Sequence, residues 1–435
     1  MWLSCANSQN NAGNLNFNSG NVNPQNNNNR ANGFAVRPSQ ASAGAPFLLN
    51  IREQYIYMEL TRSELDRLLT LAYLDARRNE RNKYDQLKFE LNLEDNLRKL
   101  REELYLRSWK PMSSMCFVVN RHREVFAPQF RDRIVSHLLF NMFYPLFDPL
   151  FIYDSYSCRV GKGTLFGIQR VEHFLRSATN NLTQTAYVLC LDIKGYFMHI
   201  NHDILVDIVL GEMERHRKRW SSLIDYGFVE YLVRTLVCRT PASDCIKIGH
   251  PSDWDVLPDY KKMEHAEPGR GIIIGDVMSQ LFSNIYLNPL DQYAKRTLCA
   301  PYYGRYVDDV RNVHTSKDVL MEHAEKVGRF LASRLSLSLN DSKTRILRAD
   351  SRIDFLGAHI SRFNRYAKPE IFAKYVGSQT GLDVPFETLQ SYSGYMSHFQ
   401  HREQDTLLYH LLKLKLYEKT NFDMGVEPAP LRELG

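Results

Sequence analysis

An α+β fold is the class this sequence predicts, and three observations carry it. Short apolar runs of strand length are mixed with longer stretches whose apolar residues recur at helical spacing. The strands do not alternate with helices in the regular order that a parallel doubly wound sheet requires. The two best strand candidates, "AYVLCLD" (186–192) and the hairpin "YYGRYVDDVRNVHT" (302–315), each carry carboxylates at a tip. With 435 residues, 44% of them hydrophobic and 12% aromatic, the chain can bury a sizeable core in two or three domains or one multi-lobed enzyme.

Residues 1–45 are poor in charge and rich in Asn, Gly, Ser and Pro; thirteen of residues 7–32 are Asn. Such a composition predicts a disordered or extended segment. Residues 55–108 change character, with dense charge and helical apolar spacing, so two helices are expected there, the second near 86–107. "SMCFVVN" and "EVFAPQ" predict a β-hairpin, and helices follow at about 131–143 and 165–178. The apolar run 186–192 reads as a buried strand ending in Asp192, followed by the helix "HDILVDIVLGEMERH". Residues 238–270, with Pro241, Pro251, Pro258 and Pro268, read as irregular. A long helix is expected over 276–296, then the 302–315 hairpin, the helix "DVLMEHAEKVGRFLASRLS", a strand "DFLGAHIS" and helical residues 385–416.

The totals exclude several classes. A net charge of +6 and a pI near 8.8 permit an acidic partner such as nucleic acid without demanding one. Seven cysteines form no close CxxC pair, which indicates neither a zinc site nor a disulfide framework and fits reduced thiols in a cytosol. No charged n-region with an apolar run opens the chain, so no signal peptide is expected. The most apolar window, 135–153, contains His137, Asn141, Asp148 and two prolines, and reads as buried helix and turn; no membrane partner is expected.

The chemistry concentrates at Asp192 and at Asp308-Asp309. Brought together, these carboxylates would hold two divalent ions, one lowering the pKa of an attacking hydroxyl and the other stabilising a leaving oxygen. Magnesium prefers carboxylate and phosphate oxygens, so Asp is the expected ligand type. An Asp-Asp pair in a turn has a second reading, since Asp suits turns through its own backbone hydrogen bonds.

The motif order resembles that of reverse transcriptases over about residues 55–415. "FRDRIVSHLLFNMFYPLF" (130–147) and "FIYDSYSCRVGKGT" (151–164) look like the two fingers motifs. "LDIKGYFMHI" (191–200) is similar to the first catalytic motif, and "IIIGDVMSQLFSNIYLNPLD" (272–291) to the motif-B loop and helix. "YVDD" (306–309) matches the catalytic box, "LNDSKTRI" (339–346) the lysine motif, "DFLG" (354–357) the primer grip and "SYSGYMSHFQH" (391–401) a short thumb. The resemblance implies a right hand: fingers and palm in 46–375, thumb in 376–420 and a tail in 421–435. It implies RNA-directed DNA polymerisation with two Mg2+ ions, Mn2+ being an alternative, on an RNA template, a DNA or cDNA primer and dNTPs.

Residue roles follow from the same resemblance. Asp192 and Asp308 would hold both ions, with Asp309 as a closer ligand or a support to them, and the carbonyl of Ile193 would complete one site. Phe197 is either the ring that excludes a 2′-hydroxyl or an ordinary core aromatic. Arg131 and Arg159 would contact the triphosphate, as bidentate arginines suit phosphate, with Arg133 and Lys162 beside them. Arg133 is open to a second reading as ion-pair partner of Asp132 or Asp154. Lys343 would bind or protonate pyrophosphate, or is a solvated surface lysine. Gly275, Ser279 and Gln280 would line the nascent base pair; Phe355, Leu356 and Gly357 would form the primer grip.

The GxxxSQ form at 275–280, the "CRVGKGT" form at 158–164 and "WDVLPDYKKM" at 254–263 are similar to reverse transcriptases of diversity-generating retroelements. These enzymes copy a template-repeat RNA into cDNA with changes at adenines and diversify a variable protein gene. The resemblance implies a bacterial or phage-encoded cytoplasmic enzyme with a small basic, pentameric helical accessory protein. It also offers an account of the Asn-rich start. Asn codons in a template repeat tolerate adenine changes without creating a stop, so 1–45 reads as translated template repeat. The enzyme proper is then expected to begin near Met58; an ordinary Asn-rich tail is the other reading. Two further functional readings stand beside this one: a defence-type or retron reverse transcriptase, and a nucleic-acid-binding protein on a catalytically inactive palm.

Overall fold

The computed structural model describes residues 60–78, 83–119, 123–217, 225–239, 241–361, 364–371, 390–391 and 394–399. The Asn-rich segment, the boundaries expected at 45, 375 and 420, and the tail lie outside these residues, as does almost all of the expected thumb. In chain order the elements are α1 (Arg62–Arg77), α2 (Tyr84–Glu90), α3 (Leu93–Tyr105), β1 (Ser114–Val119), β2 (Arg123–Ala127), α4 (Phe130–Phe147), α5 (Thr164–Ala178) and β3 (Tyr187–Asp192). Then come α6 (His202–Arg215), α7 (Tyr226–Val237), β4 (Cys245–Lys247), α8 (Val277–Arg296), β5 (Tyr302–Tyr306) and β6 (Asp309–His314). The series closes with α9 (Lys317–Leu335), β7 (Arg345–Arg348), β8 (Ile353–Phe355), β9 (Ala358–Ile360) and β10 (Arg365–Ala367).

Helix starts follow capping chemistry. Thr61, Asn201, Asp225 and Ser316 each accept a hydrogen bond from the backbone N–H three residues on, satisfying one of the orphan donors of a first turn. Among the described residues no helix is long and apolar enough to cross a membrane.

The chain divides into two compact units. The first contains residues up to Asp148 together with Phe197–Tyr286; the second contains Pro149–Tyr196 and everything from Leu287. In the first, α1 packs on α3 and α4, and a three-stranded sheet runs in the order β2-β1-β4. β1 and β2 form the expected antiparallel hairpin; β4 joins β1 in parallel. β4 was not expected, because its three residues are mostly exposed and carry no alternating pattern. The rest of 238–270 is irregular, as expected, apart from single helical turns. It is anchored by the buried Glu124, which accepts from Trp254 Nε1 at 2.8 Å and from the Met263 N–H at 2.7 Å. Cys116, Phe126, Met198, Trp254, Ile273 and Ile274 form the core beneath it.

Two expectations are corrected by this unit. The stretch expected as one helix near 86–107 is two, α2 and α3, broken at Leu91-Asn92, where Asn92 leaves helical geometry. The helix expected to stop at 143 runs to Phe147; Pro145 lies in its last turn.

In the second unit a four-stranded antiparallel sheet runs β5-β6-β3-β7. Both α5 and α9 pack on it. Val188, Cys190 and Val313 join the α5 core, while Asn312, whose side chain points the other way, donates from Nδ2 to His323 Nδ1 of α9 at 2.9 Å. Both faces of β3 are therefore covered, which is why its sequence is a continuous apolar run and not an alternating one. A second small sheet, β10-β9-β8, contains a further correction: "DFLGAHIS" is a hairpin, not one strand. Leu356 and Gly357 take φ of 48° and 83° and turn the chain back. The φ of 83° at Gly357 is one that L side chains rarely adopt, so this turn position favours glycine.

Candidate active site

The second unit brings the expected carboxylates to one end of its sheet. β3 pairs with β6 so that Asp192 stands directly opposite Asp309. Directly opposed residues point to the same face with Cβ atoms about 4.5–5.5 Å apart, so the two carboxylates share a side. Asp308 lies one residue earlier, in the two-residue turn that joins β5 to β6. Burial pushes the Asp309 carboxyl above the usual carboxylate range; the Arg311 guanidinium opposes this and the negative Asp192 adds to it.

A protein cation faces each carboxylate of the pair. Lys343 Nζ donates to both oxygens of Asp192, at 2.9 and 3.0 Å, and Asn340 Nδ2 donates to Oδ2 at 3.1 Å. The 338–344 loop is laid along the strand end by backbone bonds, Asn340 N–H to the Asp192 carbonyl at 2.8 Å and Lys194 N–H to the Ser338 carbonyl at 3.0 Å. Ile193 is buried in an isolated bridge with Leu339. Arg311 donates to both oxygens of Asp309.

The turn at Val307-Asp308 is strained and braced. Val307, a β-branched residue, takes φ of 54°, a conformation such residues rarely adopt. Arg305, fully buried, donates from Nη1 to the Val307 carbonyl at 2.8 Å. The charge of Arg305 is met by Asp291 of α8, also fully buried, through Nε to Oδ1 at 2.8 Å and Nη2 to Oδ2 at 2.7 Å. Tyr303 Oη donates to Asp291 Oδ1 at 2.8 Å. A buried ion pair of this kind holds only with such complete bonding. Strain held by surrounding structure at a turn carrying carboxylates is a mark of a functional site.

The other expected residues of this unit sit as follows. Arg159, 6% exposed, donates from Nη1 to the carbonyls of Ile152 and Ser155 at 2.7 and 3.1 Å. Lys162 donates to the Tyr153 carbonyl and lies 4.4 Å from the centre of that ring. Phe355 is buried in the α5 core, and Leu356 and Gly357 form the β8–β9 turn.

The remaining expected residues belong to the first unit. Arg131 pairs with Glu103 and Asp132. Arg133 pairs with Asp85, a different partner from the Asp132 or Asp154 considered from sequence. Phe197 packs half-buried against the Cys116–Ile274 core, and its carbonyl accepts from the Ile272 N–H at 2.9 Å. Gly275 takes φ of 124°, and a Cβ there would sit 2.9 Å from the Phe126 carbonyl oxygen and Val125 Cγ1. Ser279 is buried and Gln280 half-buried in the first turn of α8.

Sequence reasoning missed Arg305, Asp291, Arg311 and Asn340. A charged residue inside an otherwise buried strand was the available sign for Arg305 and Arg311. Asp276 is fully buried, accepts from Ser136 Oγ at 2.9 Å, and is pushed up to about 6 by burial, with Ser136 and Arg239 opposing.

A family model, reverse transcriptase (RNA-dependent DNA polymerase), matches residues 118–360. The chain belongs to the reverse transcriptase family. It is 26% identical over 302 residues to Protein YkfC of Escherichia coli (strain K12), covering 60% of this chain and 70% of that one. Among solved structures it is similar to apo telomerase from Candida tropicalis, truncated from its C-terminal domain, at 14% identity and a TM-score of 0.37, over 68% of this chain and 50% of that one. Telomerase from Candida albicans in complex with a fragment of telomeric RNA matches at 10% identity and a TM-score of 0.39, over 77% and 59%. The chain thus spans between half and three fifths of these telomerase chains.

The donor chemistry at the tip of this reverse transcriptase's sheet fits a magnesium ion. Asp192 and Asp309 offer hard oxygens on one face, and their mutual repulsion calls for positive charge, which Lys343 and Arg311 now supply. Among the described residues no three acidic, His or Cys side chains converge as a complete metal cage.

Proposed function

We propose that this chain is an RNA-directed DNA polymerase that copies a template-repeat RNA into cDNA with changes at template adenines, as part of a diversity-generating retroelement. The polymerase reading is carried by one observation: the cross-strand pair Asp192–Asp309 beside the Asp308 turn, within a chain of the reverse transcriptase family. Asp192, Asp308 and Asp309 would hold two magnesium ions, with the Ile193 carbonyl as a further donor. Bound there, the ions would supply a deprotonated primer hydroxyl and charge on the leaving pyrophosphate. Lys343, already on Asp192, is placed to exchange that carboxylate for a phosphate oxygen. Arg131, Arg133, Arg159 and Lys162 are the triphosphate candidates of this reading, and Phe197 the residue that rejects a 2′-hydroxyl. Phe355, Leu356 and Gly357 steady the primer end.

The retroelement assignment is supported by Gly275, Ser279 and Gln280 and by the 158–164 and 254–263 stretches. In it the partner is a small basic, pentameric helical protein. The test is primer extension by the purified chain on RNA from its native locus, with Mg2+ or Mn2+, with and without that partner, followed by sequencing. An Asp308→Ala, Asp309→Ala protein is the control. Product changed mainly at template adenines supports both parts. Faithful product keeps the polymerase and favours a retron or defence enzyme; product no greater than the control's sinks the polymerase reading.

A further inference from the structure

We propose that Arg311 is a positioning residue that clamps the Asp309 carboxylate to the β8–β9 hairpin, so that a displacement of the hairpin is transmitted to the carboxylate. The inference rests on the polymerase reading of this unit and adds to it a residue that the motifs did not mark.

Arg311 lies two residues after Asp309 on the same face of β6, opposite Cys190 of β3. Only 7% of its side chain is exposed. Its two terminal nitrogens divide their bonds. Nη1 and Nη2 reach the two oxygens of Asp309, Nη1 also donates to the Val310 carbonyl at 2.9 Å, and Nη2 donates to the Asp354 carbonyl at 2.7 Å. The guanidinium lies 4.7 Å from the centre of the Phe355 ring. One planar group therefore touches the carboxylate on one side and two consecutive residues of the hairpin on the other. A guanidinium suits this task because its donors are fixed in one fork; an ammonium is a single point charge.

The hairpin end of the clamp is itself held. The Asp354 carboxylate meets His359 Nδ1 at 2.6 Å, Arg352 at 3.5 Å and Lys368 at 3.7 Å. Tyr395 Oη donates to the Leu356 carbonyl at 3.2 Å. With both ends fixed, a strand end resting on the Leu356-Gly357 turn would act on Asp309 through Arg311. A misplacement of about 1 Å in a reacting constellation costs on the order of a hundredfold in rate.

The test compares wild type, Arg311→Met and Arg311→Lys for turnover, primer–template affinity, melting and Mn2+ binding. The last is read by electron paramagnetic resonance without nucleotide. In Arg311→Met we expect kcat to fall ~10–100-fold with primer–template affinity little changed. We expect Mn2+ to bind more tightly, because the carboxylate has lost a competing cation. Arg311→Lys restores charge but not the fork, and kcat should stay several-fold low. A purely structural arginine would instead weaken melting, Mn2+ binding and turnover together, and that pattern overturns the proposal. So does turnover in Arg311→Lys equal to wild type. If Arg311→Met does not fold, Arg311→Lys decides. If wild type makes no product, the polymerase reading fails separately, and the Mn2+ and melting comparison still decides the clamp.

Discussion

Asp192 and Asp309 stand opposite each other in the register of β3 and β6, and each carboxylate is held by a cation, Asp192 by Lys343 of the 338–344 loop and Asp309 by Arg311 two residues on in β6. Two like charges on one face of a sheet destabilise it unless a positive group intervenes. Lys343 and Arg311 supply that positive charge here, and in the proposed function a divalent ion would share the task.

Asp309→Asn keeps the shape and one hydrogen-bond acceptor but removes the charge. On the proposed reading Asp309 would hold a metal ion, and losing its charge would remove several kcal/mol of transition-state stabilisation, so primer extension should fall about a thousandfold. Melting should change little, since the Arg311 contact to a side-chain oxygen survives. The same extension assay with EDTA should give no product, and added Mg2+ should restore it.

Arg305→Met leaves Asp291 buried without its cation. Breaking such a pair costs about 3–5 kcal/mol, and the loss should appear as a lower denaturation midpoint. Arg305→Met with Asp291→Leu should recover much of that stability. Turnover should not recover, because the bond bracing Val307 is gone in both variants. Equal recovery of stability and turnover would show that the brace does not matter.

Gly275→Ala places a Cβ against the Phe126 carbonyl at a φ of 124°. The conformation alone costs a non-glycine residue about 1–3 kcal/mol, and the collision adds to it. Urea unfolding should show at least that loss. A stabilised Gly275→Ala protein would mean this turn differs from the one described.

Asp276 gives a pH dependence. Its folded pKa, about 6, lies above the unfolded value of 3.8, so the folded state binds the extra proton. Its contribution favours folding at low pH and is lost as pH rises from about 4 through about 6, by roughly 3 kcal/mol in all. Asp276→Asn should flatten that part of the stability curve, the variant gaining on wild type most above pH 6. Denaturant midpoints at pH 4.5, 5.5 and 7 measure it, and parallel curves would reject the assignment.

Much of this protein was legible in its sequence because the informative residues are local. Continuous apolar runs marked β3, helical spacing marked α8 and α9, and Asp192 and Asp308-Asp309 stood out as carboxylates at strand ends. Motif order alone named the family. What the sequence left unread depends on contacts between distant residues. β4 was missed because three mostly exposed residues carry no period. The 354–361 run looked like one strand because Leu356, at a φ of 48°, is not a turn residue by type, and Gly357 alone did not mark the turn. Arg305 and Arg311 read as ordinary charges on a hairpin. Burial makes them act, against Asp291 fourteen residues earlier in one case and against Asp354 and Phe355 in the other. Sequence by itself determined which groups can do chemistry. Tertiary structure decided which charges face each other in a water-poor interior, where a pairing missed is costly and a pairing made fixes geometry.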